Sequence, residues 1–167
     1  MIKPIRFGAL DLKLYSWGTM KMRVATTESE IQQAIEVRYQ SGFKPLGISR
    51  EIMESSEFAG EPVIVICLQD DQVVGSATAF ITEKTTADFI YLGVLADYQS
   101  QGIGKKLILE MEHILLSRGV KTIELCARDH LTKFYNSLGY SSVGDLKQFP
   151  EETIFYSSEI KVNSNKF

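Results

Sequence analysis

Six consecutive residues, Gln99-Ser100-Gln101-Gly102-Ile103-Gly104, combine types and spacing that can do chemistry. A strand-like apolar run, Phe89 to Leu95, leads into them, and an amphipathic helix pattern beginning at Lys105 leads out. A glycine-rich turn that opens a helix aims backbone N–H groups at one small volume. The positive end of the helix dipole lies behind that volume, which suits it to phosphate. Two common phosphate loops do not fit the letters. A P-loop needs glycine five places before Gly104 and Ser or Thr after the lysine, where this chain has Gln99 and Lys106. A dinucleotide fingerprint counted from Gly102 needs a third glycine and meets Leu107.

The same letters resemble the acyl-CoA-binding motif of the GNAT acetyltransferase superfamily, Arg/Gln-x-x-Gly-x-Gly/Ala, with Gln99, Gly102 and Gly104 at its defining positions. Tyr91-Leu92-Gly93-Val94-Leu95 is similar to that family's fourth strand, and Phe134-Tyr135-Asn136-Ser137-Leu138-Gly139-Tyr140 to its Phe-Tyr-x-x-x-Gly-Phe/Tyr segment. The resemblance spans about residues 20 to 160, the size of one domain. It implies a mixed, twisted α/β sheet of six or seven strands, helices on both faces, and a splay between strands four and five. The implied reaction is direct acetyl transfer from acetyl-CoA to a primary amine, without a covalent enzyme intermediate. Two other readings stay open: a longer-chain acyl transferase drawing on acyl-CoA or an acyl carrier protein, and a non-catalytic acyl-CoA sensor.

By this resemblance the amides from Gln101 to Lys105 cradle the CoA pyrophosphate. Gln99 and Ser100 complete the loop, and the strand edge Leu92, Gly93, Val94 binds the pantetheine arm as an added strand. The Val94 N–H is then placed to stabilise the carbonyl oxygen as it gains charge. Lys105 and Lys106 sit in the first helical turn, which the dipole disfavours unless an anion binds there; Lys106 also has Glu110 one turn away. Gly93 suits either a strand bulge or the close approach of a neighbour.

A departing thiolate has a conjugate pKa near ~8.5, and a tyrosine hydroxyl at ~10 can protonate it. The resemblance gives that role to Tyr135. Periodicity alone puts Leu131, Phe134, Tyr135 and Leu138 on one face, a core pattern. Asp88, where some members carry a carboxylate, is the candidate base, acting through water; alternation sets it on the face of Ile90, Leu92 and Val94. The family often has Asn seven residues before the tyrosine. Arg128 stands there instead, open to a CoA phosphate, an acidic acceptor or solvent. For the acceptor wall, the resemblance points to residues 38–57 and to a loop at 143–152, with Arg38, Tyr39, Phe43, Lys44 and Phe149 as candidates; Arg38 reads either as meeting a substrate carboxylate or as lying on a solvated helix face.

These residues need elements to hold them. Met22 to Ala25 reads as a strand, and Thr27 with Glu30 as a capping box opening a helix that Gly42 stops. A short helical stretch at 51–57 follows. Pro62 to Leu68 is continuous enough for a central strand, Asp70-Asp71 a turn, and Val73 to Thr82 its hairpin partner. Further strands are expected over 88–95, 121–127 and 153–162, with helices over 104–118 and 130–138. Residues 1–19 form an extension with a candidate edge strand at Leu10, Leu12 and Leu14; residues 20–162 form the domain, and 163–167 a frayed tail.

With 167 residues and a net charge of −3, the chain offers one core and no general attraction to nucleic acid. Lys3, Arg6, Asp11 and Lys13 interrupt the N-terminus, so it is no secretory signal, and no apolar run is long enough for a membrane span. Cys67 and Cys126 read as buried, reduced thiols of a cytoplasmic protein. Together with His113 and His130 they suggest no metal site. The partners expected are a small-molecule or peptide amine and, by resemblance alone, a homodimer.

Overall fold

A computed structural model describes residues 20–55, 58–128, 131–146 and 153–159. The elements in chain order are β1 (Met20–Val24), α1 (Glu28–Arg38), α2 (Arg50–Glu54), β2 (Glu61–Gln69), β3 (Gln72–Glu83), β4 (Thr86–Val94), α3 (Ile103–Ser117), β5 (Thr122–Arg128), α4 (Thr132–Ser137), β6 (Ser141–Leu146) and β7 (Thr153–Glu159). The seven strands pair in the order β1-β2-β3-β4-β5-β7-β6. The first pair, β1 with β2, is antiparallel, and β5 with β7 and β6 with β7 are antiparallel too. The β4–β5 pair is parallel and runs only from Thr86↔Thr122 to Phe89↔Leu125. Among the described residues that ladder stops halfway along β4, as the expected splay requires.

Local chemistry explains the elements. Thr27 caps α1: its hydroxyl accepts from the Glu30 amide at 3.2 Å, and the Glu30 carboxylate accepts from the Thr27 amide at 3.3 Å. The capping box is as expected. The stop is not. Helical backbone continues through Gly42 as a π-turn over Tyr39–Phe43 and a 3-10 turn over Lys44–Leu46, and ends at Gly47 with φ +70°. Gly42 keeps a negative φ, so it does not supply the left-handed stop, and the Ser41 hydroxyl donates to the Val37 carbonyl at 2.6 Å across the widened turn. Asp70 and Asp71, with φ of 49° and 65°, make the tight β2–β3 turn.

One strand was not foreseen. Residues 143–146 belong to β6, not to a loop, because β6 pairs with β7 across an irregularity between Ser142 and Gly144. The candidate edge strand at Leu10–Leu14, the tail and Phe149 lie outside the described residues.

By contacts the chain divides into two units. Of the described residues, the first takes 20–55 with Val63–Thr78 and Tyr91–Met111; its core packs Ala34 and Val37 of α1 on Ile66, Leu68 and Val73. The second takes Phe58–Pro62, Ala79–Ile90 and the described residues from Glu112 to Glu159, with Leu115, Ile123, Leu125, Tyr135, Leu138 and Tyr140 buried. No helix among the described residues is long and apolar enough to cross a membrane.

Candidate active site

In the first unit, β4 delivers the chain to the glycine turn. The Leu95 amide donates to the Val74 carbonyl at 2.9 Å, a 3-10 turn spans Ala96–Tyr98, and Gln99 follows in extended backbone. The Gln99 side-chain amide then donates back to the Val94 carbonyl at 2.9 Å, tying the turn to the end of the strand. Ser100 and Gly102 both have positive φ, 61° and 79°. A left-handed backbone favours glycine at position 102, where a Cβ would meet nothing within 4 Å. Gly104 is different: a Cβ there would touch Leu92 at an ordinary 3.7 Å, so a small side chain fits.

The Gly102 carbonyl accepts from the Lys106 amide at 3.2 Å and starts α3. That leaves the amides of Ile103, Gly104 and Lys105 without acceptors inside the helix. No acidic residue occupies this first turn. Gln101 and Lys105 are exposed; Ile103 is fully buried and pins the turn from below. Lys106 is half-buried, and burial lowers its pKa, while burial raises the Cys67 thiol to about 11. The turn thus offers helix-start N–H donors next to exposed Gln101 and Gly102, with Lys105 and Lys106 in the first helical turn.

Two glycines act by close approach rather than by φ. At Gly75 of β3 a Cβ would press on Ile103 and Leu107 at 3.1 Å, so its absence lets the start of α3 settle on the sheet. At Gly93 a Cβ would collide with the Ser41 hydroxyl. Of the two readings for Gly93, close approach of a neighbour is the one observed. Leu92 and Val94 are half-buried, alternating with Tyr91 and Gly93.

Arg38 is not a solvated helix residue. Its guanidinium lies 3.4 Å from the Tyr91 ring centre and 5.6 Å from that of Phe43, and donates to the Met53 carbonyl at 3.2 Å. Phe43 and Tyr91 face each other at 5.6 Å. Sequence reasoning missed the part played by Tyr91; its only signal was its position two residues before Gly93. Tyr39 and Lys44 are occupied elsewhere, Tyr39 under the Arg50 guanidinium and Lys44 with the Gln40 side chain.

In the second unit, Tyr135 is 5% exposed on α4. Its ring meets Phe134 edge-on at 5.1 Å and Tyr140 at 5.7 Å. Burial, then the charge of buried Glu112, pushes the Tyr140 hydroxyl far up. Asp88, half-buried and in register with Glu124, has its pKa raised by burial and then by Glu83. Cys126 is exposed, not buried as expected: β5 turns Ile123, Leu125 and Ala127 inward and Cys126 to the other face. Burial and the charges of Asp88 and Glu124 still raise its thiol, so exposure does not make it reactive. Arg128 closes β5 opposite Thr153, and its side chain lies outside the described residues.

Residues 28–140 match the sequence profile of the acetyltransferase (GNAT) family. The chain belongs to that family. Among its relatives is the uncharacterized protein YyaT of Bacillus subtilis, 24% identical over 123 residues, which cover 72% of this chain and 82% of YyaT. The fold is shared with the ribosomal-protein-S18-alanine N-acetyltransferase of Escherichia coli, with TM-score 0.68, 19% identity, and coverage of 89% of this chain and 98% of that one. It is also shared with a GNAT family acetyltransferase of Elizabethkingia anophelis with acetyl-CoA bound, with TM-score 0.68, 12% identity, and coverage of 85% and 99%.

Proposed function

We propose that this GNAT protein transfers an acetyl group from acetyl-CoA directly to a primary amine. The observation that carries the reading is the turn from Gln99 to Lys105, where a left-handed Gly102 leads into the first turn of α3, whose amides have no acceptor inside the helix. A diphosphate fits that donor set: hydrogen-bond donors, no carboxylate in the first helical turn, and two lysines beside it. The acetyl-CoA bound to the Elizabethkingia anophelis protein supports the choice of co-substrate.

In this proposal the amides of Gln101, Gly102, Ile103, Gly104 and Lys105 hold the pyrophosphate, with Ser100 shaping the turn. Leu92, Gly93 and Val94 hold the pantetheine arm by strand addition. Acetyl-CoA supplies the acyl group as a thioester. The Val94 N–H polarises the acyl carbonyl, and Tyr135 donates a proton to the leaving sulfur. Asp88 accepts the amine's proton through water. Its raised pKa makes it a stronger base than an exposed aspartate, which suits that task. Arg38 and Phe43 form part of the acceptor wall, and Arg128 meets a phosphate or the acceptor. The same reading keeps Cys67 and Cys126 as reduced thiols in the cytoplasm, neither of them forming an acyl intermediate.

The test is thiol release from acetyl-CoA in the presence of pooled amines, amino acids and peptides. Amine-dependent release above the hydrolytic background is the expected result. Tight CoA binding with no release from any pool contradicts the enzymatic reading.

A further inference from the structure

Arg38 has lost much of its water, and among the described residues no anion is paired with it. Its Nε is shut from solvent and has no hydrogen-bond partner, and the Met53 carbonyl satisfies only one Nη2 proton. Glu54's charge reaches the guanidinium, but its carboxylate ion-pairs with Arg50 at 3.7 Å, and no carboxylate among the described residues pairs with Arg38. Burial accordingly pushes its pKa down. A desolvated cation is ordinarily matched by an anion, because the uncompensated charge is costly. Stacking on Tyr91 occupies the flat face of the guanidinium. With Nε shut in and Nη2 turned to Met53, the Nη1 end, which makes no hydrogen bond among the described residues, is what remains to meet a carboxylate.

The position of this slot is informative. Tyr91 and Gly93 lie on one face of β4, and the end of α1 packs on that face at both, Arg38 over Tyr91 and Ser41 against Gly93. Two strand residues span about 7 Å. The slot therefore lies within one small molecule's length of the Leu92–Val94 edge assigned above to the acyl-carrying arm. We propose that Arg38, stacked on Tyr91 and beside Phe43, anchors a carboxylate on the acceptor, so that the acceptor class is amines carrying a carboxylate. This inference rests on the acetyl-transfer reading. Either a free amino acid or a peptide with an acidic group has the required chemistry.

The experiment needs no variant at first. Free amino acids, short acidic peptides and the carboxamide of each are compared as acceptors. Their N-acetylated forms are titrated calorimetrically into the protein with and without CoA. Carboxylates are expected to exceed their amides by about tenfold or more in kcat/KM and in affinity. The better of the two carboxylate sets identifies the source. R38Q is expected to raise KM for carboxylates about tenfold or more and to raise it far less for the amides, and R38K to recover part of the loss. CoA affinity measured on the same R38Q sample should stay within about twofold, which separates lost recognition from lost folding. Amides performing as well as carboxylates, or R38Q slowing both alike, overturns the inference. So does the absence of any carboxylate binding while CoA still binds. If CoA itself fails to bind, acetyl transfer falls, and the calorimetric comparison without CoA still decides the role of Arg38.

Discussion

The turn at Gln99–Gly104 and the helix at Thr132–Ser137 carry the two ends of the proposed chemistry, and they are built in opposite ways. The turn is made of backbone. Gly102 takes φ +79° where a Cβ would meet nothing, so its lack of a side chain serves conformation and not packing. Gln99 spends its side chain on tethering the turn to Val94. By contrast, α4 is made of side chains, and Tyr135 sits between Phe134 and Tyr140 much as any core aromatic would. A site made of main-chain amides shows itself through geometry that packing does not require. One made of a buried hydroxyl is disguised as core.

Tyr135→Phe gives the largest expected effect and tests that disguise. As general acid, its loss should lower kcat by about 10²- to 10⁴-fold, with CoA affinity and melting temperature nearly unchanged. An unchanged kcat would make Tyr135 a core residue only. Next comes Gly102→Val. A β-branched residue at positive φ costs on the order of 1–2 kcal/mol and displaces the amides. CoA affinity should fall about tenfold or more, measured by calorimetry, while circular dichroism shows a folded protein. Equal affinity would show that the turn's backbone does not hold the ligand.

The smallest effect concerns scaffold rather than site. The Arg23 side chain first, then the Thr26 amide, holds the Glu30 carboxyl down at about 2. A carboxyl depressed in the folded state stabilises fully above its unfolded value, near ~4.3, and that contribution is lost as pH falls toward 2. E30Q should therefore show a shallower loss of melting temperature between pH 5 and pH 2.5 than the parent, followed by thermal melts. Parallel curves would remove Glu30 from the account.

Signals carried within a few residues were legible in the sequence. Thr27 with Glu30, the Asp70-Asp71 turn and the glycine turn each depend on neighbours three or four places away, so their letters suffice. Gly42 misled because the backbone stays helical through it and turns left-handed only at Gly47. The strand β6 went unseen because Ser141, Ser142, Gly144 and Asp145 break the apolar alternation, and β7 supplies the pairing. The slot around Arg38 was legible only in part, since the resemblance names Arg38 and Phe43 but not Tyr91 as its wall. It forms where α1 meets β4, and nothing local to Arg38 announces Tyr91.

The central claim is that the amides of the Gly102 turn bind the diphosphate of acyl-CoA, and calorimetric titration of acetyl-CoA into the purified protein tests it most directly. The account predicts saturable one-site heat, competed by CoA and lost in large part in the folded Gly102→Val protein. No heat and no rise in melting temperature at millimolar acetyl-CoA would contradict it.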